Sequence, residues 1–297
     1  MKLFSICHVL ILLVSTVTTS DNLTITFGGE PISMINKADF TTPLYDIPLI
    51  DEVKYDEFLS ELDQQVSQQP INATLNDQGE IIPEQMGYKL NRRVFTEHFY
   101  SYFFNKHEIT VEAPRMVIYP KVDSELLSQI TMQKIGHYTS YFRTSNKERS
   151  HNISLAVEAI NNHVVFPGET FSFNEVVGKR TTEKGYLPAP VIVRGELSEG
   201  IGGGICQVSS TLFNAVDSVG VQILERYSHS RSVPYVPPGR DATVSWYGPD
   251  FTFKNKYNQP ILIRAKIYGG SLHIMIYSSD AIEYQKRDIR PKRANSN

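Results

Sequence analysis

Cysteine is almost missing from this chain: two stand among 297 residues, beside a single tryptophan. That scarcity excludes a disulfide framework, so stability must come from packing. No cysteine pair has metal-ligand spacing and the histidines are dispersed, so the sequence points to no metal and no cofactor. A strong charge of either sign is lacking too. The formal net charge is −3, which gives no reason to expect nucleic acid as a partner. Beyond the N-terminal segment no apolar run approaches the roughly 20 residues that cross a bilayer.

What is present begins at the N-terminus. Lys2 precedes an apolar stretch from Leu3 to Val14 and a small polar run from Ser15 to Ser20, the pattern of a signal peptide over residues 1–20. The expectation is an exported protein, secreted or held at the cell envelope, with membrane association if the segment stays attached. Cleavage would remove Cys7. Cys206 would then be the lone thiol, without an internal disulfide partner, and a candidate reactive group.

The mature chain exceeds one typical domain, so two are expected. Leu23-Thr24-Ile25-Thr26-Phe27 alternates as a strand does, and Val53, Phe58, Leu59, Leu62 and Val66 mark one face of a helix over 53–69. Residues 71–83 read as a hairpin about Asp77-Gln78-Gly79, followed by a helix over 91–104 and strands at 109–113 and 116–119. These make an α+β module over 21–127. The helix followed by Pro70-Ile71-Asn72-Ala73-Thr74-Leu75, with Ile109-Thr110-Val111, resembles the YoaR-like peptidoglycan-binding domain over roughly residues 50–122. A spacer that binds nothing is the other account of the same pattern.

A boundary is expected near 128, with a short helix at 121–127 before it and an exposed turn at 144–150 after it. Asn152 or Ser150 can cap a helix whose apolar surface includes Ile153, Val157 and Ile160, and Pro167-Gly168 bars its continuation. Phe171-Ser172-Phe173 alternates as a strand. Near the end, 251–256, 260–267 and 272–277 read as strands, the last two joined by Gly269-Gly270. A basic tail over 281–297, with Lys286, Arg287, Arg290, Lys292 and Arg293, reads as a solubilising end.

One succession is more specific. Phe166-Pro167-Gly168-Glu169-Thr170-Phe171-Ser172-Phe173-Asn174 is followed by Gly185-Tyr186, Ala189-Pro190-Val191-Ile192, Gly202-Gly203-Gly204-Ile205-Cys206, Ser228-His229-Ser230 and Gly239-Arg240-Asp241-Ala242-Thr243-Val244. In that order these segments resemble the VanW family over roughly 135–280. The resemblance implies a bacterial envelope setting and an association with glycopeptide-resistance clusters, and it brings no settled reaction. The fold class expected overall is α+β in two domains, a small N-terminal module and a VanW-like mixed helix and sheet domain over 128–280.

Chemistry must therefore come from the residues. Val208, Leu212, Phe213, Ala215, Val216 and Val219 mark a helix face that ends at Gly220, which puts Cys206 in the first turn. Free backbone N–H groups there favour a thiolate, and the glycines before it, Gly203 and Gly204 among them, can turn N–H groups toward an oxyanion. The run lacks the Gly-Lys-Ser/Thr ending of a phosphate loop and the spacing of a dinucleotide fingerprint. His229 is the candidate base and Asp241 the group that orients it, an arrangement similar to papain-like peptidases except for its short Cys-to-His separation. Arg194, Gln207, Ser209 and Arg240 are candidate substrate contacts, with Glu175, Arg180 and Asn214 nearby in sequence.

A packed cysteine and a turn-forming Asp241 account for the same residues without catalysis, and a redox thiol is a third account. The leading expectation is a cysteine-dependent amidase, peptidase or transpeptidase acting on peptidoglycan stem peptides. The alternative is a noncatalytic protein that binds or scaffolds wall material or glycopeptide-like ligands.

Overall fold

Asp51 starts the first long helix by accepting a hydrogen bond from the Lys54 backbone N–H, the role its short carboxylate suits. This helix, α1 (Glu52–Val66), belongs to the first of two compact units in a computed structural model that describes residues 22–44, 47–105, 110–193 and 196–287. The expected signal peptide and the tail beyond Arg287 lie outside the described residues. Six helices and many short strands among them make an α+β protein.

The first unit comprises residues up to Ile71 together with Gln85–Pro120. The strand Asn22–Phe27 pairs antiparallel with Glu30–Asn36 and parallel with Thr110–Glu112. On α1 the buried face is Tyr55, Leu59, Leu62 and Val66, spaced at three and four residues; Val53, expected inside, is 69% exposed. The second helix, α2 (Arg92–Tyr100), is capped by Asn91 and continues into a wider turn at Ser101–Asn105. Its Phe95 and Phe99 meet α1 in an aromatic core, where Tyr55 and Phe99 stack with ring centres 4.3 Å apart.

The second unit comprises Asn72–Glu84 and the chain from Lys121 onward. The hairpin of Thr74–Leu75 and Ile81–Ile82 forms as expected, but it packs here and not in the N-terminal module to which its sequence position assigns it. It is held by Arg264, a buried side chain 3% exposed, which donates to the Leu75 and Asn76 carbonyls at 2.9 Å each, and by Asn162, whose amide bonds both the N–H and the carbonyl of Leu75. Ala73 also joins Val122, Leu127, Ile130 and Leu262 in a small apolar cluster, with Leu127 and Ile130 supplied by α3 (Ser124–Ile130). The chain passes between the two units at Ile71/Asn72, Glu84/Gln85 and Pro120/Lys121, where the sequence suggests one boundary near 128.

The main sheet is antiparallel, in the order Gln133–Tyr141, Ser271–Ser278, Ile261–Tyr268, His163–Val165. A smaller sheet has Thr252–Lys254 between Thr170–Ser172 and Gln222–Glu225. Next comes α4 (Lys147–Ile160), capped by Asn146 and not by Asn152 or Ser150; Asn152 is buried inside the helix and bonds the Leu187 and Gly203 carbonyls. Phe173 opens a short helix, α5 (Phe173–Val177), where a longer strand was expected. The final helix, α6 (Ile205–Val219), ends at Gly220 in the left-handed conformation, as its sequence predicts.

This helix fixes the site. It packs against α4 and against the strands Gln133–Tyr141 and Ser271–Ser278, and it is buried nearly all round. Only Cys206 and Ser218 along it are less than fully buried. Burying each Val, Leu or Phe on it contributes about 1.5–3 kcal/mol relative to exposure.

Candidate active site

The turn into α6 depends on missing side chains. A Cβ on Gly203 would lie 2.6 Å from the Ala189 carbonyl oxygen and 2.7 Å from that of Pro190, both main-chain atoms that cannot step aside. Gly204 has φ of 108° and occupies the N-cap position, so no side chain caps the helix. The chain thus enters α6 through bare backbone, and Cys206 sits one residue inside it, half-buried with its thiol reduced.

The other two members arrive from the segment after the strand Gln222–Glu225. A bridge between Tyr227 and Thr243 sets two chain segments antiparallel and brings His229 opposite Asp241. Asp241 Oδ2 then accepts twice, from the His229 backbone N–H at 2.6 Å and from Nδ1 at 2.6 Å. Arg226 ties the same loop by donating to the carbonyls of Gly239 and Asp241. With Nδ1 held by the carboxylate, the other ring nitrogen of His229 is the one left for its hydrogen bond with the Cys206 thiol. The sulfur also lies 3.5 Å from the Val244 carbonyl oxygen and 3.8 Å from Thr243 Oγ1.

Electrostatics follow from these contacts. Burial pushes the Cys206 thiol up, but the His229 hydrogen bond and positive charge outweigh it and leave the thiol below its ordinary 9.0. Burial likewise pushes His229 down, and the sulfur and Asp241 more than reverse it, so the imidazole is held above its ordinary value. Asp241 is raised by burial and lowered further by the two His229 N–H groups, ending below the usual carboxylate value. Sulfur down and imidazole up favour a thiolate–imidazolium pair, the reactive state of a cysteine nucleophile.

The three residues singled out for catalysis are thus together. The expected contacts are distributed differently. Gln207 is buried, donating to Ser140 Oγ and the Tyr141 carbonyl and accepting from Arg149 at 2.8 Å. Ser209, also buried, donates to the Cys206 and Ala242 carbonyls. Arg240 donates to Asn214 Oδ1 and Asp217 Oδ2 and lies over the Phe213 ring. Gln207 and Ser209 thus spend their polar atoms on the fold, and Arg240 does so through Nε and Nη1, while its buried Nη2 has no partner among the described residues. Asn214 is buried in the same network, and Glu175 is exposed on α5. Arg194 lies outside the described residues.

Sequence reasoning missed Arg149 and Tyr235, while Arg180 was among the polar groups it placed near the helix start. Arg149 stands in the first turn of α4, its backbone N–H held by the Asn146 cap, and its stem borders Gly204. The Arg180 stem borders Gly202. Tyr235 hydrogen-bonds Ser210, and burial pushes its hydroxyl far up, so it stays protonated as a donor. Its place inside Val233-Pro234-Tyr235-Val236-Pro237 was the signal available for it. Among the described residues no group of three or more His, Cys, Asp or Glu side chains could hold a metal ion.

Three comparisons bear on these observations. Residues 148–277, which contain the whole triad, match a family model described as VanW like protein. A protein of Bacillus subtilis (strain 168) described as uncharacterized protein YoaR is 61% identical over 280 residues, 94% of this chain and 92% of that one. The vancomycin B-type resistance protein VanW of Enterococcus faecalis (strain ATCC 700802 / V583) is 29% identical over 135 residues, 44% of this chain and 49% of its own length. No solved structure matches.

Proposed function

Because the chain belongs to the family of YoaR and VanW-like proteins, we propose that it is an exported, cell-wall-related protein that cleaves or transfers peptidoglycan peptides through Cys206. The observation that carries this reading is the placement of His229 between a half-buried sulfur and a buried carboxylate. A cysteine kept only for packing needs no imidazole, and an imidazole kept only for packing needs no second bond to Asp241.

The Cys206 thiolate attacks an amide carbonyl carbon; a C–S bond forms and the carbonyl electron pair moves to oxygen. The Cys206 backbone N–H, in the uncapped first turn of α6, faces the developing charge. Collapse breaks the C–N bond, and His229 gives its Nε2 proton to the departing amine. The thioester is then attacked by water, or by a second amine in a transfer reaction, with His229 accepting the proton. Asp241 keeps the ring in one orientation throughout and is never protonated.

The wall setting is supported by the name of the Enterococcus relative, a resistance protein against an antibiotic that acts on the wall. In the same reading the first unit binds wall material and residues 1–20 direct export. The test is incubation of the full chain with solubilised peptidoglycan fragments, followed by mass spectrometry of the intact protein and of the released peptides. The expected result is an acyl adduct on Cys206 and new amino groups in solution, both lost in Cys206→Ala while sedimentation with sacculi persists. Sedimentation without any turnover in either protein would favour the binding and scaffolding account and sink the enzyme reading.

A further inference from the structure

Two arginines flank the entry to α6, and their charges are not answered by the fold. Arg149 donates through Nη2 to Gln207 Oε1 at 2.8 Å, and Arg180 through Nη2 to Asn174 Oδ1 at 2.7 Å and through Nη1 to the Gly178 carbonyl at 3.3 Å. All three acceptors are neutral. Among the described residues neither guanidinium has a carboxylate at ion-pair distance. Asp250, whose charge Arg180 feels, spends its oxygens on Ser172 Oγ and the Asn174 and Phe251 N–H groups.

Burial pushes both guanidiniums down, and the charge of Cys206 acts on each in the opposite direction. Arg149, Arg180 and protonated His229 face the thiolate and Asp241, while Asp250 acts on Arg180 through its charge without a hydrogen bond to it. Half-buried cations paired only with neutral oxygens lower stability unless something else answers them. The thiolate answers one. Among the described residues Arg149 Nε and Nη1 and Arg180 Nε donate no hydrogen bond, so donors are left for an anion.

Resting on the cysteine-nucleophile reading above, we propose that Arg149 and Arg180 receive a substrate carboxylate, so that the peptide ends in a free α-carboxylate one residue beyond the amide that Cys206 attacks. In such a peptide only the amide nitrogen and one Cα separate the scissile carbonyl from the carboxylate carbon. With the scissile carbon at the sulfur that carboxylate stays within a few bonds of Cys206, and the stems of Arg180 and Arg149 border Gly202 and Gly204 just before it. The leaving group is then a free amino acid: the C–N bond breaks, the amine takes the His229 proton, and the carboxylate departs unchanged. Attack by water regenerates the thiol, and attack by another amine exchanges the terminal residue.

The test pairs N-acylated alanyl-alanine dipeptides, in L and D series, with their C-terminal carboxamides. Binding is measured by calorimetry on the full chain carrying Cys206→Ser, and turnover on the unmodified chain. The acid should bind about tenfold or more tightly than the amide, as expected for a charge-assisted contact. Arg180→Gln should bring that ratio below about threefold, and Arg149→Gln should do the same. Arg180→Lys should restore part of it. Equal binding of acid and amide, or a preference that survives both arginine changes, overturns the carboxylate receptor. The adduct on Cys206 decides the enzyme reading separately, so each can fail alone.

Discussion

His229 is bound to Asp241 twice, through Nδ1 and through its own backbone N–H, each at 2.6 Å to the same oxygen. One atom thereby fixes both the ring and the chain that carries it. Asp241→Asn keeps the shape and loses the charge, and the amide can offer an N–H where an acceptor is needed. Turnover should fall by about 10²–10⁴-fold, the range a misoriented triad histidine shows, with substrate affinity nearly unchanged. Steady-state kinetics separate the two, and a change confined to KM would contradict the orienting role.

Asp241 also ties acid stability to the site. Burial raises its pKa and the His229 N–H groups lower it further, so the net folded value lies below the unfolded one. A depressed carboxylate contributes stability that is complete above its unfolded pKa and is lost as pH falls through the folded value. Urea melts of the unmodified chain should lose stability below about pH 4, and Asp241→Asn should remove part of that slope. An identical slope in both proteins would contradict this.

Thiol reactivity gives an independent pH signature. With Cys206 held below its ordinary 9.0 by His229, the pH profile of alkylation by iodoacetamide should lie below that of the unfolded chain's thiol. Removing the imidazole leaves burial as the dominant influence. In His229→Ala the midpoint of the labelling profile should therefore move upward. Labelling at neutral pH should slow by about tenfold or more, since each tenfold fall in thiolate fraction corresponds to a midpoint about one pH unit higher. A thiol that labels only after unfolding would be a packed cysteine.

Gly203→Ala tests the entrance to α6. The new methyl would meet main-chain atoms of Ala189 and Pro190, so the strand Pro188–Val193 or the helix must shift. A loss of about 1–3 kcal/mol is expected in chemical denaturation, together with slower Cys206 alkylation. Unchanged stability would mean that this turn yields more easily than its contacts imply.

Arg264 should behave as a long-range tether. Arg264→Ala removes one donor from each of the Leu75 and Asn76 carbonyls, which keep Asn162 Nδ2 and the Gly79 N–H, and it empties a buried site, at a cost of about 1–3 kcal/mol. Hydrogen exchange should rise first in residues 72–84. Protection that is unaltered there would put the hairpin's stability elsewhere.

Much of this is legible in the sequence alone. The α6 face and its Gly220 stop follow from helical spacing and a residue free to take a positive φ, and Cys206, His229 and Asp241 stand out because nucleophile, base and carboxylate occur in one region. The strand Gln133–Tyr141 was missed because Gly136 interrupts an alternation that polar residues already dilute, although its partner Ser271–Ser278 buries every second residue. Val53 was placed inside α1 on hydropathy alone, while geometry gave that face to Tyr55. The hairpin at 74–82 looked local. Its anchor, Arg264, is 189 residues from Leu75 in sequence, and no spacing rule connects them. Arg149 was hidden for the same reason: its meaning comes from Gln207 and Gly204, supplied by a different helix.

A helix enclosed on nearly every side cannot be re-aimed by its own surface, because it has almost none. The direction in which the Cys206 sulfur points is set by the whole interior of the second unit, through Val208, Leu212, Val216 and the sheet beneath them. The sulfur is thus as fixed as the core itself, and any change in what it meets has to come from what faces it: the loop bearing His229 and Asp241, the arginines beside the turn, and the strand Pro188–Val193. Folding and reactivity draw on one set of residues, so a variant that loosens the interior should lose chemistry well before it unfolds.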